Sequence, residues 1–251
     1  MLKIENLTIQ FGGLTAVNDV SMMVEPNKIY GLIGPNGAGK TTFFNLISGV
    51  YEPTVGNVLF NGQRLNGMQP YQINKAGISR TYQVINLFKK MTVVDNVLVG
   101  MHTQLKSNFI SSILHNKKER EEEKAALEIA YNWLDFVGIR HHAADFAGNL
   151  SYGEQRLLEI VRGLSSKPQL LLLDEPAAGM HAAEKEKLRV IVRNILDNLH
   201  VTLLVIEHDM KLMMELAEYI YVLDFGKKLA EGTPKIIQNN PDVIAAYLGD
   251  E

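Results

Sequence analysis

The chain has 251 residues, 46% of them hydrophobic and 21% charged, with a formal net charge of −3 and no cysteine. That length accommodates one large domain or a core with an inserted subdomain; the missing cysteines exclude disulfides, thiolate-held iron–sulfur clusters and thiol catalysis. The weak negative charge supplies no basic field and argues against nucleic acid as a partner.

In chain order, Leu2, Ile4, Leu7, Ile9 and Phe11 roughly alternate with polar residues and predict a half-buried strand. Further strands are expected at 20–24, 29–33 and 55–60, separated by Gly, Pro and Asn turns. A helix is expected from Thr41, with Phe43, Phe44 and Ile47 available for packing. From about Met91 to Leu164 the chain reads as largely helical. Within it, 119–137 is charged at its start, carries Leu127, Ala130, Leu134 and Val137 at helical spacing, and stops at Gly138. Short apolar strands return at 170–173, 201–206 and 219–223. The pattern predicts one α/β domain: a core from residues 1–90 and 165–230, a helical subdomain at 91–164 and a helical tail at 231–251. No run approaches the roughly 18–20 apolar residues that a membrane helix needs. Met1-Leu2-Lys3-Ile4-Glu5 carries charges where a signal peptide would be apolar. A cytoplasmic chain is expected, reaching a membrane only through another protein.

Three segments carry chemistry. Gly34-Pro35-Asn36-Gly37-Ala38-Gly39-Lys40-Thr41, followed by Thr42, joins a predicted strand to a predicted helix, the context a phosphate-binding loop requires. Gly34, Gly37 and Gly39 let the backbone turn and aim N–H groups at phosphates, and the helix N-terminus adds its positive dipole end. Lys40 supplies a charge toward the β/γ-phosphates, and the Thr41 hydroxyl suits Mg²⁺. Second, the leucines 170–173 deliver Asp174 and Glu175 to the C-terminal end of a buried strand, where open α/β sheets bind ligands. Asp174 suits Mg²⁺, directly or through water. Glu175 stands where it orients or deprotonates the attacking water. Third, His208 follows the strand at 201–206, where a neutral imidazole can donate to the γ-phosphate. Alone it would read as a solvated turn residue, as His141 and His142 do.

Ser151-Tyr152-Gly153-Glu154 fits the S-x-x-E capping box of a helix continued by Leu157, Leu158 and Val161. A capped helix N-terminus also offers N–H groups and a hydroxyl to a phosphate. Since the chain's own phosphate loop already has such a helix, a second one makes sense facing another molecule's nucleotide.

These motifs, with Gln83 in Arg80-Thr81-Tyr82-Gln83 and Leu150-Ser151-Tyr152-Gly153-Glu154-Gln155 between loop and acidic strand, resemble the ATP-binding cassette (ABC) ATPases. The five motifs stand in the family's order over nearly the whole chain. The resemblance implies a P-loop NTPase (RecA-like) α/β core with an N-terminal antiparallel β-subdomain and an inserted helical subdomain. It makes Phe11 an adenine-stacking aromatic, although Phe11 read alone is equally a core strand residue. It gives Gln83 a Mg²⁺-binding and coupling role, and gives Ser151 and Gly153 contacts to ATP held by a second subunit. Two departures stand out: Tyr152 and Glu154 replace Gly and Gln of the general signature, and His181 stands where many members carry Asp.

A narrower resemblance is to the ATPase subunits of branched-chain amino acid importers. It rests on Phe11-Gly12-Gly13-Leu14-Thr15-Ala16-Val17, the Leu-Ser-Tyr-Gly signature, Asp174-Glu175-Pro176-Ala177-Ala178-Gly179-Met180, Ile206-Glu207-His208-Asp209-Met210, Asn240-Pro241-Asp242-Val243-Ile244 and an extra segment near 102–118. It implies an ATPase that couples dimer closure to solute transport, with Mg²⁺ as cofactor. The implied partners are integral membrane permease subunits, a second like or unlike ATPase subunit and an extracytoplasmic solute-binding protein. The implied location is the cytoplasmic face of the cell membrane. Urea importer and lipopolysaccharide exporter ATPases are similar enough to stand as alternatives, and a soluble iron–sulfur assembly ATPase is the non-transport one. A chromosome-organising ABC ATPase would need a long heptad-bearing insert, which the stretch between Lys40 and Ser151 lacks. In the extra segment, Phe109, Ile110, Ile113 and Leu114 share a stripe if helical, either packing on the helical subdomain or facing the membrane partner.

Overall fold

A computed structural model of the chain describes residues 1–103 and 117–248. β1 (Leu2–Phe11) and β2 (Leu14–Val24) form a hairpin around Gly12, whose φ of 59° suits the turn. β2 therefore starts at Leu14, well before the strand expected at 20–24. Thr15, Asn18 and Asp19 interrupt its apolar alternation, and the pairing is irregular there. Asn6 and Asp19, both with positive φ, bridge the irregularity through a 2.7 Å hydrogen bond.

β3 (Ile29–Ile33) leads into α1 (Lys40–Ile47); β4 (Val55–Phe60), β5 (Gln63–Arg64), α2 (Pro70–Ala76) and β6 (Ile78–Arg80) follow. Then come α3 (Val93–Gly100), α4 (Lys117–Val137) and α5 (Tyr152–Leu164). β7 (Leu170–Asp174), α6 (Ala182–Leu199), β8 (Thr202–Ile206), α7 (Met210–Leu216), β9 (Tyr219–Asp224), β10 (Lys227–Gly232), α8 (Pro234–Gln238) and α9 (Pro241–Leu248) complete the order. The strands form two sheets: an antiparallel one in the order β2-β1-β4-β5, and a six-stranded one in the order β10-β9-β3-β8-β7-β6. β9, β3, β8, β7 and β6 run parallel, and β10 is antiparallel at one edge.

The six-stranded sheet is covered on both faces, so its central strands read as continuous apolar runs. Leu171, Leu173, Leu203 and Val205 enter the core shared with the helices, while Leu170, Leu172, Leu204 and Ile206 enter a second core with Phe43, Phe44 and the antiparallel sheet. All eight are fully buried, so replacing one Leu by Ala removes contacts worth about 2–5 kcal/mol.

α3, α4 and α5 lie between β6 and β7 in the chain and pack together through Val93, Val97, Ala130, Leu134, Leu157 and Val161. Gly100 allows the close approach of α3 to α5, since a Cβ there would meet the Arg162 carbonyl oxygen at 2.3 Å. The stripe of Phe109, Ile110, Ile113 and Leu114 lies outside the described residues. No helix among the described residues is long and apolar enough to cross a membrane.

Candidate active site

Four adjacent parallel strands, β3-β8-β7-β6, end on the same side of the sheet. Register aligns their ends: Leu32 pairs with Ile206, and Ile206 pairs with Asp174. The loops leaving those ends carry Lys40, His208, Glu175 and Gln83 respectively. Residues far apart in the chain are thus gathered where an open parallel sheet binds its ligands.

The Gln83 and His208 side chains meet at Glu175. Gln83 Nε2 donates to Glu175 Oε2 at 2.9 Å, and His208 Nε2 lies 2.8 Å from Glu175 Oε1. Glu175 is buried and has φ 49°, a left-handed conformation that a bulky residue adopts at a cost of order 1–3 kcal/mol. Its N–H bonds the Ile206 carbonyl at 2.9 Å, which fixes the strained backbone to the neighbouring strand. The next residue after β8, Glu207, is also buried. It accepts from the backbone N–H groups of Ala177, at 2.6 Å, and of His208, at 3.0 Å, so one carboxylate ties together the loops bearing Glu175 and His208. Burial pushes the Glu207 carboxyl up, against those backbone bonds.

In the phosphate loop, Gly34 has φ 153°, and a Cβ on it would fall 2.1 Å from the Leu223 carbonyl oxygen. Gly39, with φ 96°, similarly faces the Ala16 carbonyl oxygen at 2.5 Å. Lys40 opens α1 and is buried; its ammonium donates to the carbonyls of Gly34 at 2.6 Å and Pro35 at 2.8 Å. Burial pushes the Lys40 ammonium down, and the charges of Glu175 and Asp174 push it back up.

Asp174 is fully buried, and Arg80 Nη2 donates to its Oδ2 at 2.7 Å. Arg80 also donates to Asn45 Oδ1 at 2.7 Å and Ser48 Oγ at 2.9 Å, locking α1 to β6 and β7. Burial pushes the Asp174 carboxyl up, and the Arg80 bond opposes it. Its second oxygen, Oδ1, is buried with no partner. The orphaned Asp174 oxygen and the exposed Thr41 hydroxyl are oxygen donors of the kind that Mg²⁺ or its water shell takes.

A cavity of about 590 Å³ lies over the phosphate loop and the Glu175 cluster, and Asp174 is not among its lining residues. It is lined by Asn36, Gly37, Ala38, Gly39, Lys40, Thr41 and Thr42, with Gln83, Glu175 and His208, and on its other side by Leu14, Thr15, Ala16, Phe225 and Gly226. Phe11 is not among the lining residues; it is half-exposed and packs edge-on against Tyr51 at 5.2 Å. Phe225 escaped sequence reading. It stands 85% exposed at the cavity rim with φ 42°, although its only sequence signal is an aromatic beside a Gly turn.

Ser151 and Gly153 do not line the cavity. Ser151 caps α5 as its sequence predicts: Glu154 N–H donates to Ser151 Oγ at 3.3 Å, and the Ser151 hydroxyl and N–H donate to Glu154 Oε2 at 2.7 and 3.0 Å. Gly153 is buried beside α6, where a Cβ would meet Glu184 Oε1 at 2.4 Å. One helical turn further on, Arg156 is fully buried. It donates to the carbonyls of Tyr82 at 2.6 Å and Gln83 at 2.7 Å, and pairs with Glu159 at 3.0 Å. Arg156 therefore joins the signature helix to the Gln83 loop, a link that sequence reading also missed.

A loop that cradles phosphates, a buried acidic strand end and a capped helix set apart from the cavity define an ATP-binding cassette. The family model for ABC transporters matches residues 17–178, and one for branched-chain amino acid ATP-binding cassette transporters matches 227–251. The high-affinity branched-chain amino acid transport ATP-binding protein LivG of Escherichia coli (strain K12) is 46% identical over 250 residues, covering 100% of this chain and 98% of LivG. BraF of Pseudomonas aeruginosa, with the same description, is 44% identical with the same coverage. Among solved structures, a nucleotide-free ATP-binding cassette from an ABC transporter superposes with TM-score 0.83 at 31% identity, over 98% of both chains. A cassette in its ADP conformation superposes with TM-score 0.82 at 30% identity, over 99% of this chain and 98% of that one. The chain belongs to the ABC transporter family, as an ATP-hydrolysing, ATP-binding subunit.

Proposed function

We propose that this chain powers an importer of branched-chain amino acids, binding ATP in the cavity over Lys40 and completing the site with the Ser151 helix of a second ATPase subunit. The observation that carries the catalytic part is the Glu175 carboxylate held between Gln83 and His208 at adjacent strand ends. Glu175 is the general base or orienter of water, and His208 donates to the γ-phosphate once it leaves Glu175. Lys40 exchanges its bonds to Gly34 and Pro35 for phosphate oxygens, while the N–H groups of the loop 34–41 surround the phosphates. Thr41, Asp174 and Gln83 would hold Mg²⁺, which neutralises phosphate charge when bound. Phe225 and Leu14 offer the nucleotide apolar surface at the rim, with Phe11 beyond them.

The position of Ser151 and Gly153 outside the cavity supports their action in trans. The match of residues 227–251 and the full-length likeness to LivG and BraF support amino acid import over urea import, lipopolysaccharide export or iron–sulfur assembly. The remaining parts are integral permease subunits and an extracytoplasmic solute-binding protein, with this chain bound peripherally at the cytoplasmic face.

Affinity purification of the chain from detergent-solubilised membranes tests this reading. An integral membrane protein should co-purify, and cells lacking the chain should lose ATP-dependent uptake of labelled leucine. Recovery only with soluble proteins, with leucine uptake unchanged, would contradict it. Lys40→Ala is expected to weaken nucleotide binding itself. Saturating ATP at about 100 times its dissociation constant stabilises a folded protein by about 2.7 kcal/mol. A thermal melt with and without MgATP should show that shift in wild type and little of it in Lys40→Ala.

A further inference from the structure

Away from the strand ends, one group of metal-ligating side chains comes together among the described residues: His141, His142 and Glu154, with one ligand atom of each within 4.8 Å of the others. The histidines come from the tight helical turn Arg140–His142, and Glu154 comes from the first turn of α5. The two imidazoles lie 4.1 Å apart, centroid to centroid. His142 Nε2 is 3.3 Å from Glu154 Oε1, and its other nitrogen, Nδ1, is 2.6 Å from Asp145 Oδ2. The Asp145 contact is the second, independent indication. Metal-binding histidines nearly always give their outer nitrogen to a carboxylate or carbonyl, which fixes the tautomer and aims the inner lone pair.

We infer that His141, His142 and Glu154 form a binding site for a divalent transition metal of the zinc class. Two imidazoles and one carboxylate, with a fourth position left to water, match the ligand preference of Zn²⁺. Mg²⁺ takes oxygen ligands and has no claim on it. The chain has no cysteine to compete for the ion. The site has a mechanical consequence, because Glu154 uses its other oxygen, Oε2, to accept from the hydroxyl and N–H of Ser151. A metal on Oε1 holds that carboxylate in place and keeps the Ser151 hydroxyl turned toward its own helix, away from a second subunit's nucleotide. This consequence rests on the proposed role of Ser151 in trans; the site itself does not.

The test is a Zn²⁺ titration of the nucleotide-free full chain by calorimetry, followed by thermal melts with Zn²⁺ and after EDTA. Wild type should bind one ion per chain and melt higher with it, and EDTA should reverse the shift. Asp145→Asn should bind about 10–100-fold more weakly, the usual loss when an outer-shell partner is removed. The double substitution His141→Ala with His142→Ala should lose the binding while keeping the wild-type melt without metal. Wild type taking up no zinc, or the double variant binding it as tightly, would overturn the site. Hydrolysis in excess MgATP then separates the two parts of the inference. Zinc should slow wild type and leave the double variant unaffected. Zinc that binds wild type without slowing it would overturn the link to Ser151 alone.

Discussion

Glu175→Gln is expected to lower steady-state ATP hydrolysis by about 10²–10⁴-fold, the usual loss when a positioned general base is removed, while ATP still binds. The substitution preserves shape, and the amide can keep hydrogen bonds to both neighbours. Gln83 Nε2 and His208 Nε2, at 2.9 and 2.8 Å from the two carboxylate oxygens, need only small adjustments. What is lost is a basic oxygen at the strand end. Phosphate release in MgATP measures the rate, and equilibrium binding of a fluorescent ATP analogue measures the affinity. A variant hydrolysing near the wild-type rate would remove Glu175 from catalysis.

Arg156→Met is expected to destabilise the fold by about 3–5 kcal/mol, the range for removing one partner of a buried ion pair. Arg156 and Glu159 are both fully buried. Methionine fills much of the volume but leaves four acceptors behind: the Tyr82 and Gln83 carbonyls, a Glu159 oxygen and the Tyr152 hydroxyl. Burial already pushes the Glu159 carboxyl up, and removing Arg156 takes away a charge that opposes that shift. Hydrolysis should fall along with stability, because the loop that presents Gln83 loses two anchors to α5. Urea denaturation measures the first effect and phosphate release the second. A variant as stable as wild type would show that the buried pair is energetically neutral here.

The catalytic strand ends were legible because each sits where local pattern is strongest. A glycine-rich loop follows β3, a run of leucines precedes Asp174, and another buried strand precedes His208. Period and punctuation sufficed there, since strands buried on both faces have little freedom in composition. The same holds for the capping box at Ser151, whose four-residue pattern is entirely local. The side chains that hold these parts together were not legible. Arg80, Arg156 and Glu207 are charged residues with no local pattern to mark them, and their side chains are buried because their partners arrive from distant segments. β6 is only three residues long and carries too little pattern to show, yet it positions both Arg80 and the approach to Gln83. The first half of β2 was hidden for a different reason: it faces solvent enough to tolerate Thr15, Asn18 and Asp19. His141 and His142 read as surface residues because nothing in their neighbourhood along the chain announces Glu154.

The central claim is that ATP is held between this chain's phosphate loop and the Ser151 helix of a second ATPase subunit. Light scattering on the Glu175→Gln chain, alone and mixed with the second ATPase subunit of its complex, tests it most directly. MgATP should double the particle mass in at least one of the two samples, ADP should not, and Ser151→Ala should weaken the ATP-driven species. Equal masses with MgATP, with ADP and without nucleotide, in both samples, would contradict the account.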